Sequence, residues 1–411
     1  MKIAVIGGGA SGLVAAISSA RKNARVTLFE RNSRVGKKIL MTGNGKCNLS
    51  NVNLSSDMYY TGDRSFVMSA LEKFGLNDSL MFFNGLGLLL TEKRGGIYPH
   101  SEQASAVLDA LRFEADSVGV LVKCECYVKD IKVSGKGFEI NYDDSSSEQT
   151  GSFSEFFDRV IISTGGKAAP KTGSDGNGYE LAKRLGHSVT KIYPALSGVK
   201  CEGDFWKSVA GVRCQASLII ENDLTGEGIS FGELQFTDYG ISGIPVFQIS
   251  RILACMVDSQ TRPVVDIDLI PDVDEGVLFN EITARVMLLP DRTAEQILCG
   301  ILNKKIAACI LKRIGMGANE FYTDNKEKLL GTVNAIKHFR VTVKGINSFD
   351  QSQTTAGGVP LNEINGFFES RFVPGLFFTG EILDVDGVCG GYNLQWAWSS
   401  GYIAGEEAAQ C

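Results

Sequence analysis

A chain of 411 residues is longer than a single hydrophobic core supports, so two or three domains are expected. Its 44% apolar and 21% charged content is that of an ordinary globular protein, and a formal net charge of −6 argues against a surface built for nucleic acid. No stretch approaches about 18 uninterrupted apolar residues, so no membrane-spanning helix is expected. Lys2 followed by an apolar run has the look of a signal peptide, but glycines interrupt it, and a cytoplasmic protein is the expectation. The ten cysteines contain no C-x-x-C and the three histidines lie near no cysteine pair, so no metal site is expected and the thiols read as reduced.

Residues 1–30 organise the rest. Lys2-Ile3-Ala4-Val5-Ile6 reads as a buried parallel strand and runs into Gly7-Gly8-Gly9-Ala10-Ser11-Gly12, a G-x-G-x-x-G. A small-residue helix to about Lys22 follows, then a second strand, Arg25 to Phe29, ending on Glu30. This is the βαβ dinucleotide fingerprint in its required context. Gly7 permits the tight turn, Gly9 lets a pyrophosphate approach the backbone, and Gly12 allows close helix–strand packing. Ala10 and Ser11 place their amides in the first helical turn, where free N–H groups and the dipole face phosphate. Glu30 is placed to accept hydrogen bonds from both ribose hydroxyls.

Residues 31–50 form a basic, Gly-rich loop after that acid. Arg31 and Lys38 are candidates to lie beside the cofactor, and Thr42, Gly43, Asn44 and Gly45 read as a tight turn with exposed amides, followed by Cys47 and Asn48. Cys47 lacks the nearby second cysteine of a flavin-linked disulfide reductase, and a small buried hydrophobe is its plainer reading. Two amphipathic helices are expected over about 63–75 and 101–118, with a strand-like run over 87–92 and a turn over 94–99 between them. Strands follow over 119–141. One of these offers Val128 as a backbone contact for adenine, and residues 143–149 read as a polar hairpin tip.

A buried strand, 158–163, ends in Thr164-Gly165-Gly166, where the chain can return past a bound nucleotide without side-chain clash. The stretch 171–179 is not a second dinucleotide loop, because Gly176-x-Gly178 lacks a third glycine and no strand immediately precedes it. From about 190 to 345 the composition changes. Short apolar runs over 191–270 suggest a barrel or small sheet, and residues 275–340 are helical in period. The last block resumes the first domain: a strand ends at Gly380-Glu381, whose carboxylate suits ribitol hydroxyls. Gly391, Tyr392, Asn393 and Leu394 open a final helix whose N-terminus suits the negative edge of a reduced flavin.

These stretches resemble the BaiN-like (YhiN-like) family of FAD-dependent NAD(P)H oxidoreductases over essentially the full length. The likeness rests on residues 5–12, Gly36-Lys37-Lys38 with 42–48, Ala356-Gly357-Gly358-Val359, and the segment from Gly380 to Ala397. It implies an α/β protein: a Rossmann-like FAD-binding domain of the two-dinucleotide-binding-domain flavoprotein type over 1–190 plus 346–411. An inserted β-barrel-like domain is expected over 191–273 and a small helical subdomain over 274–345. It also implies FAD as cofactor, NAD(P)H as transient electron donor, and reduction of a C=C bond conjugated to a ketone in a 3-oxo-Δ4/Δ6 bile-acid steroid, an apolar enone.

Such a reduction needs a donor at the enone oxygen and a proton for the α-carbon. Tyr98, His100, Tyr193, Tyr239 and Tyr392 carry suitable groups, but a structural role is the plainer reading of each, so no catalytic residue is assigned. Three other readings stay open: a flavoprotein oxidase of a small amine, a flavin-carrying RNA-modification or scaffold protein, and an NAD-only dehydrogenase. The acidic balance and the lack of a basic stripe count against RNA as partner, and the extra flavin segments count against NAD alone. Oligomeric state is not specified.

Overall fold

The computed structural model describes residues 1–146, 150–223, 226–322 and 325–410. The chain divides into two compact units, Met1–Tyr193 with Ser352–Cys411, and Pro194–Gln351.

In the first unit β1 (Lys2–Ile6), α1 (Ala10–Arg21) and β2 (Arg25–Phe29) form the expected βαβ unit. The five-stranded sheet runs in the order Leu376–Phe378, Arg159–Ile162, β1, β2, Leu121–Lys123. Every pairing in it is parallel. Parallel strands buried on both faces read as continuous apolar runs, as β1 and Arg159–Ile162 do. The C-terminal helix (Tyr392–Ala408) packs along α1 at backbone distance: a Cβ at Gly401 would lie 2.4 Å from the Ser11 carbonyl oxygen. Ser19 Oγ closes the same seam by donating to the Gly405 carbonyl at 2.8 Å.

An antiparallel meander, Cys126–Ser134, Gly137–Asp144 and Gly151–Phe157, lies in the chain between two strands of the parallel sheet, Leu121–Lys123 and Arg159–Ile162. Residues 147–149 of the expected hairpin tip lie outside the described residues. The two expected helices form over Arg64–Lys73 and Ala104–Ser117. A third, Leu76–Gly85, starts where the Asp78 carboxylate accepts from the Gly75 amide at 2.9 Å.

The second unit contains a closed six-stranded barrel: Val199–Cys201, Gly240–Gly243, Ile229–Phe236, Arg213–Ile220, Val264–Asp268 and Val341–Ile346. The sequence placed the barrel over 191–273 and assigned 274–345 to helices. The closing strand, Val341–Ile346, instead comes after the helices and pairs with both Val199–Cys201 and Val264–Asp268. Without it both partners would keep an open edge. Helix Ile244–Asp258, with Pro245 in its first turn, lies within the stretch read as strands. A separate apolar core, including Phe236, Leu253, Ile282, Ile310 and Phe339, serves this unit.

Candidate functional site

The turn after β1 has the geometry the motif requires. Gly7 has φ +104°, and a Cβ at Gly12 would lie 1.9 Å from the Gly7 carbonyl oxygen. Gly9 is the N-cap of α1 without side-chain capping, and open space surrounds the position of its missing Cβ. Ala10 and Ser11 form the first turn beside it, and Ser11 also meets Gly380, whose Cβ position is 2.6 Å from Ser11 Oγ. The first and last motifs of the chain therefore meet at the N-terminus of α1, an anion-binding position.

Glu30 is buried, and its carboxylate accepts from the Gly8 amide at 3.0 Å, the Asn32 amide at 2.8 Å and the Asn32 side chain at 2.6 Å. With about four lone-pair positions on a carboxylate, three are taken within the protein. One remains on Oε2 for a ligand hydroxyl, where the motif suggested two hydroxyl bonds. Arg31 pairs with Asp175 and lies over the Tyr127 ring, 5.1 Å from its centroid. The chain segment carrying Val128 is tied to this corner, because the Cys126 amide donates to the Glu30 carbonyl at 2.9 Å. Val128 itself is buried in the meander.

A second group gathers at Glu381. Lys38 donates to its Oε2 at 2.6 Å, and the Thr355 amide donates to its Oε1 at 2.9 Å. Thr355 Oγ1 in turn accepts from the amides of Lys167 and Ala168 at 2.8 and 2.9 Å. Gly166 fits beneath them, its Cβ position being 2.7 Å from Glu381 Oε1. Gly165 takes φ +71°, and Thr164 Oγ1 is buried without a hydrogen-bond partner. Thr355 was not singled out from the sequence. Its signal was the Thr-Thr that precedes the Ala356-Gly357-Gly358-Val359 stretch.

A third group lies where the C-terminal helix begins. Gly391, φ +101°, is its N-cap, with no side-chain cap. Asn48 Oδ1 is buried and unpartnered, 2.8 Å from the Cβ position of Gly391. Gly43, Asn44 and Gly45 all take positive φ, making the expected tight turn, and Thr42 Oγ1 donates to the Ile39 carbonyl at 2.7 Å. Asn393 spends its side chain on Gly387, accepting its amide at 2.8 Å and donating to its carbonyl at 2.7 Å. Tyr392 packs edge-on against Tyr59, and Leu394 follows in the first turn.

Cys47 is fully buried, and burial pushes its thiol up to about 12, so it is no thiolate at neutral pH. His100 is exposed, and Tyr239 belongs to the second unit, where its hydroxyl accepts from Asn347 at 3.0 Å. Among the described residues no group of three or more His, Cys, Asp or Glu is placed to hold a metal ion, and no helix is long and apolar enough to cross a membrane.

Open space at Gly9, unpartnered buried oxygens on Thr164 and Asn48, and two uncapped helix N-termini fit a dinucleotide cofactor. A parallel sheet bearing this constellation, with a barrel inserted into the chain, defines a Rossmann-type dinucleotide-binding protein. The chain belongs to the family described as HI0933-like protein Rossmann domain, which matches residues 1–407. It is 39% identical to the 3-dehydro-bile acid delta(4,6)-reductase of Clostridium scindens, over 100% of this chain and 99% of that protein. It is 31% identical to the ribosomal RNA dihydrouridine synthase of Haemophilus influenzae, over 97% of this chain and 96% of that protein. Among solved structures, 3-ketosteroid delta1-dehydrogenase from Sterolibacterium denitrificans, in complex with 1,4-androstadiene-3,17-dione, superimposes with a TM-score of 0.52 at 12% identity. That alignment covers 99% of both chains and speaks for the fold alone.

Proposed function

We propose that this protein is an FAD-dependent oxidoreductase that reduces a carbon–carbon double bond conjugated to a carbonyl. Its substrate is a 3-oxo-Δ4/Δ6 bile-acid steroid and its electron donor NAD(P)H. The observation that carries this reading is the 39% identity, end to end, with a bile-acid delta(4,6)-reductase. In this reading Gly7, Gly9, Ala10, Ser11 and Gly12 hold the pyrophosphate. Glu30 takes one ribose hydroxyl, with Arg31 and the backbone of Val128 toward the adenine end. Thr164, Gly165, Gly166, Lys38, Gly380 and Glu381 line the ribitol. Thr42 to Asn48 and Gly391 to Leu394 enclose the ring system, the helix dipole favouring negative charge there. The chemistry the flavin supplies, when bound, is hydride transfer. The nicotinamide binds transiently, since the sequence holds no second G-x-G-x-x-G. No disulfide links the nine described cysteines, in keeping with a reducing cytoplasm.

A second reading is favoured by a separate observation, the 31% identity with a ribosomal RNA dihydrouridine synthase. The uracil C5=C6 bond is also conjugated to a carbonyl, so one site chemistry serves both substrates. The net charge of −6 favours the steroid. Purified protein should be yellow, should bleach anaerobically with NADH or NADPH, and should regain its colour with a 3-oxo-Δ4 steroid. Recovery with uridine-containing ribosomal RNA and not with the steroid would reverse the choice.

A further inference from the structure

We infer that the Tyr98 hydroxyl is the hydrogen-bond donor that polarises the substrate's conjugated carbonyl, at the mouth of the N-terminus of the C-terminal helix. This rests on the flavin-dependent reading above and adds to it a residue that touches substrate.

Tyr98 lies on the strand Gly96–Pro99, between Ser50–Asn51 and Leu90–Lys93. Its ring edge and the Asn48 amide converge over Gly96: a Cβ there would lie 2.8 Å from Tyr98 Cε2 and 2.9 Å from Asn48 Nδ2. From the other side, a Cβ at Gly43 would lie 3.0 Å from the Asn48 amide nitrogen and 3.8 Å from Tyr98 Cε1. Asn48 Oδ1 reaches the Gly391 N-cap at 2.8 Å from its Cβ position. Three segments far apart in sequence thus crowd onto one partly buried spot, with glycine wherever a side chain would fill it.

Two polar atoms at this spot have no hydrogen-bond partner among the described residues. Asn48 Oδ1 is buried and unpaired, and the Tyr98 hydroxyl makes no hydrogen bond among the described residues. Leaving a buried oxygen such as Asn48 Oδ1 unpartnered costs stability unless a ligand satisfies it, and the Tyr98 hydroxyl, on a half-buried side chain, is open to the same ligand. The other phenols nearby are engaged: Tyr59 donates to the Tyr392 carbonyl at 3.0 Å, and Tyr392 reaches the Asn53 carbonyl at 3.5 Å. Burial raises the Tyr98 phenol above its ordinary range, Cys389 adds to this and Lys46 opposes it, so the group stays protonated at neutral pH.

The chemistry needs such a group. Conjugate reduction adds a hydride, which a bound reduced flavin would supply, at the β-carbon. The C=C π pair shifts, charge accumulates on the carbonyl oxygen, and the α-carbon takes a proton from water. A donor fixed at that oxygen stabilises the charge as it develops, and removing one typically costs about 10²–10³ in rate.

The test compares wild type with Tyr98→Phe. Flavin content and anaerobic reduction by NAD(P)H should match. Reoxidation by 2-cyclohexenone and by a 3-oxo-Δ4 steroid should slow by about 10²-fold. Binding to the oxidised enzyme supplies a readout independent of turnover, followed through the flavin absorbance. A saturated 3-oxo steroid should bind at least about fivefold more weakly to the variant, while the same steroid lacking the 3-oxo group should bind both proteins alike. Equal loss for both steroids, or unchanged reoxidation, would overturn the assignment to Tyr98. Wild-type protein that carries no flavin, or whose reduced flavin no conjugated carbonyl reoxidises, would instead overturn the functional reading on which it rests.

Discussion

The Lys38 ammonium and the Glu381 carboxylate meet at 2.6 Å, although 343 positions separate them in sequence. Through Glu381 and Thr355 this pair joins four stretches of chain: the basic loop, the return after Gly166, the Thr354–Ala356 strand and the end of the last parallel strand. All four border the proposed ribitol position, so the pair couples folding of the first unit to its cofactor cleft.

Glu381→Ala should therefore cost more than Lys38→Met. The first leaves the Thr355 amide and the Lys38 ammonium without their acceptor, about 2–4 kcal/mol. The second leaves a carboxylate still bonded to one amide, about 1–2 kcal/mol. Chemical denaturation of the flavin-free proteins ranks them, and the reverse order would mean that the ion pair dominates the cluster.

Gly9 and Gly12 should part company on replacement by alanine. At Gly12 the methyl would strike the Gly7 carbonyl at 1.9 Å, so Gly12→Ala should lose about 1–3 kcal/mol or more of stability, with or without cofactor. At Gly9 the space is open, so Gly9→Ala should fold with a loss below about 1 kcal/mol. Its FAD affinity should still fall at least tenfold, measured by flavin fluorescence on titration. Full affinity in Gly9→Ala would place the pyrophosphate elsewhere.

Glu30→Ala should affect the protein twice. It frees the Gly8 and Asn32 amides, destabilising the flavin-free protein by about 1–3 kcal/mol, and it removes one ribose acceptor. Thermal unfolding with and without added FAD separates the two. A variant with unchanged flavin-free stability would contradict the three internal bonds.

Stability of the first unit should fall in mild acid. His187 is buried between the rings of Phe372 and Phe378, at 5.0 and 4.7 Å, with Nδ1 2.8 Å from Glu363 and Nε2 2.8 Å from Ser370 Oγ. Ser370 Oγ already accepts from the Phe372 and Val373 amides, so it is set to donate to a neutral Nε2. Burial lowers the imidazole pKa below its ordinary 6.5, against the pull of Glu363. Below about pH 6.5 the unfolded chain binds a proton that the folded one resists. The unfolded state then holds more protons, and stability drops as pH falls through this window. Urea midpoints between about pH 7.5 and 5.5 should show the drop, and His187→Gln should flatten it. An equal slope in both proteins would assign the acid sensitivity to other groups.

Local signals were legible and distant ones were not. The β1–turn–α1–β2 unit could be read because strand, glycines, helix and Glu30 lie within 30 consecutive residues, each with its own local reason. The barrel was legible in kind from its short apolar runs. Its closing strand, Val341–Ile346, was not, because edge pairing with Val199–Cys201 is decided more than 100 residues away. Lys38 and Glu381 were each readable as polar candidates, but their meeting depends on how the parallel strands are ordered. Thr355 escaped notice because a threonine before a glycine pair carries no signal until the segment it faces is known. That Asn48 Oδ1 and the Tyr98 hydroxyl find no partner among the described residues is likewise a property of packing rather than of sequence.

The most direct measurement of the central claim is a single anaerobic turnover. The purified protein is reduced with light and a chemical donor, then mixed without oxygen with one equivalent of a 3-oxo-Δ4 steroid. The account predicts that the oxidised flavin spectrum returns while one equivalent of the saturated 3-oxo steroid forms. A flavin that stays reduced, or that reoxidises with no saturated product, would contradict it.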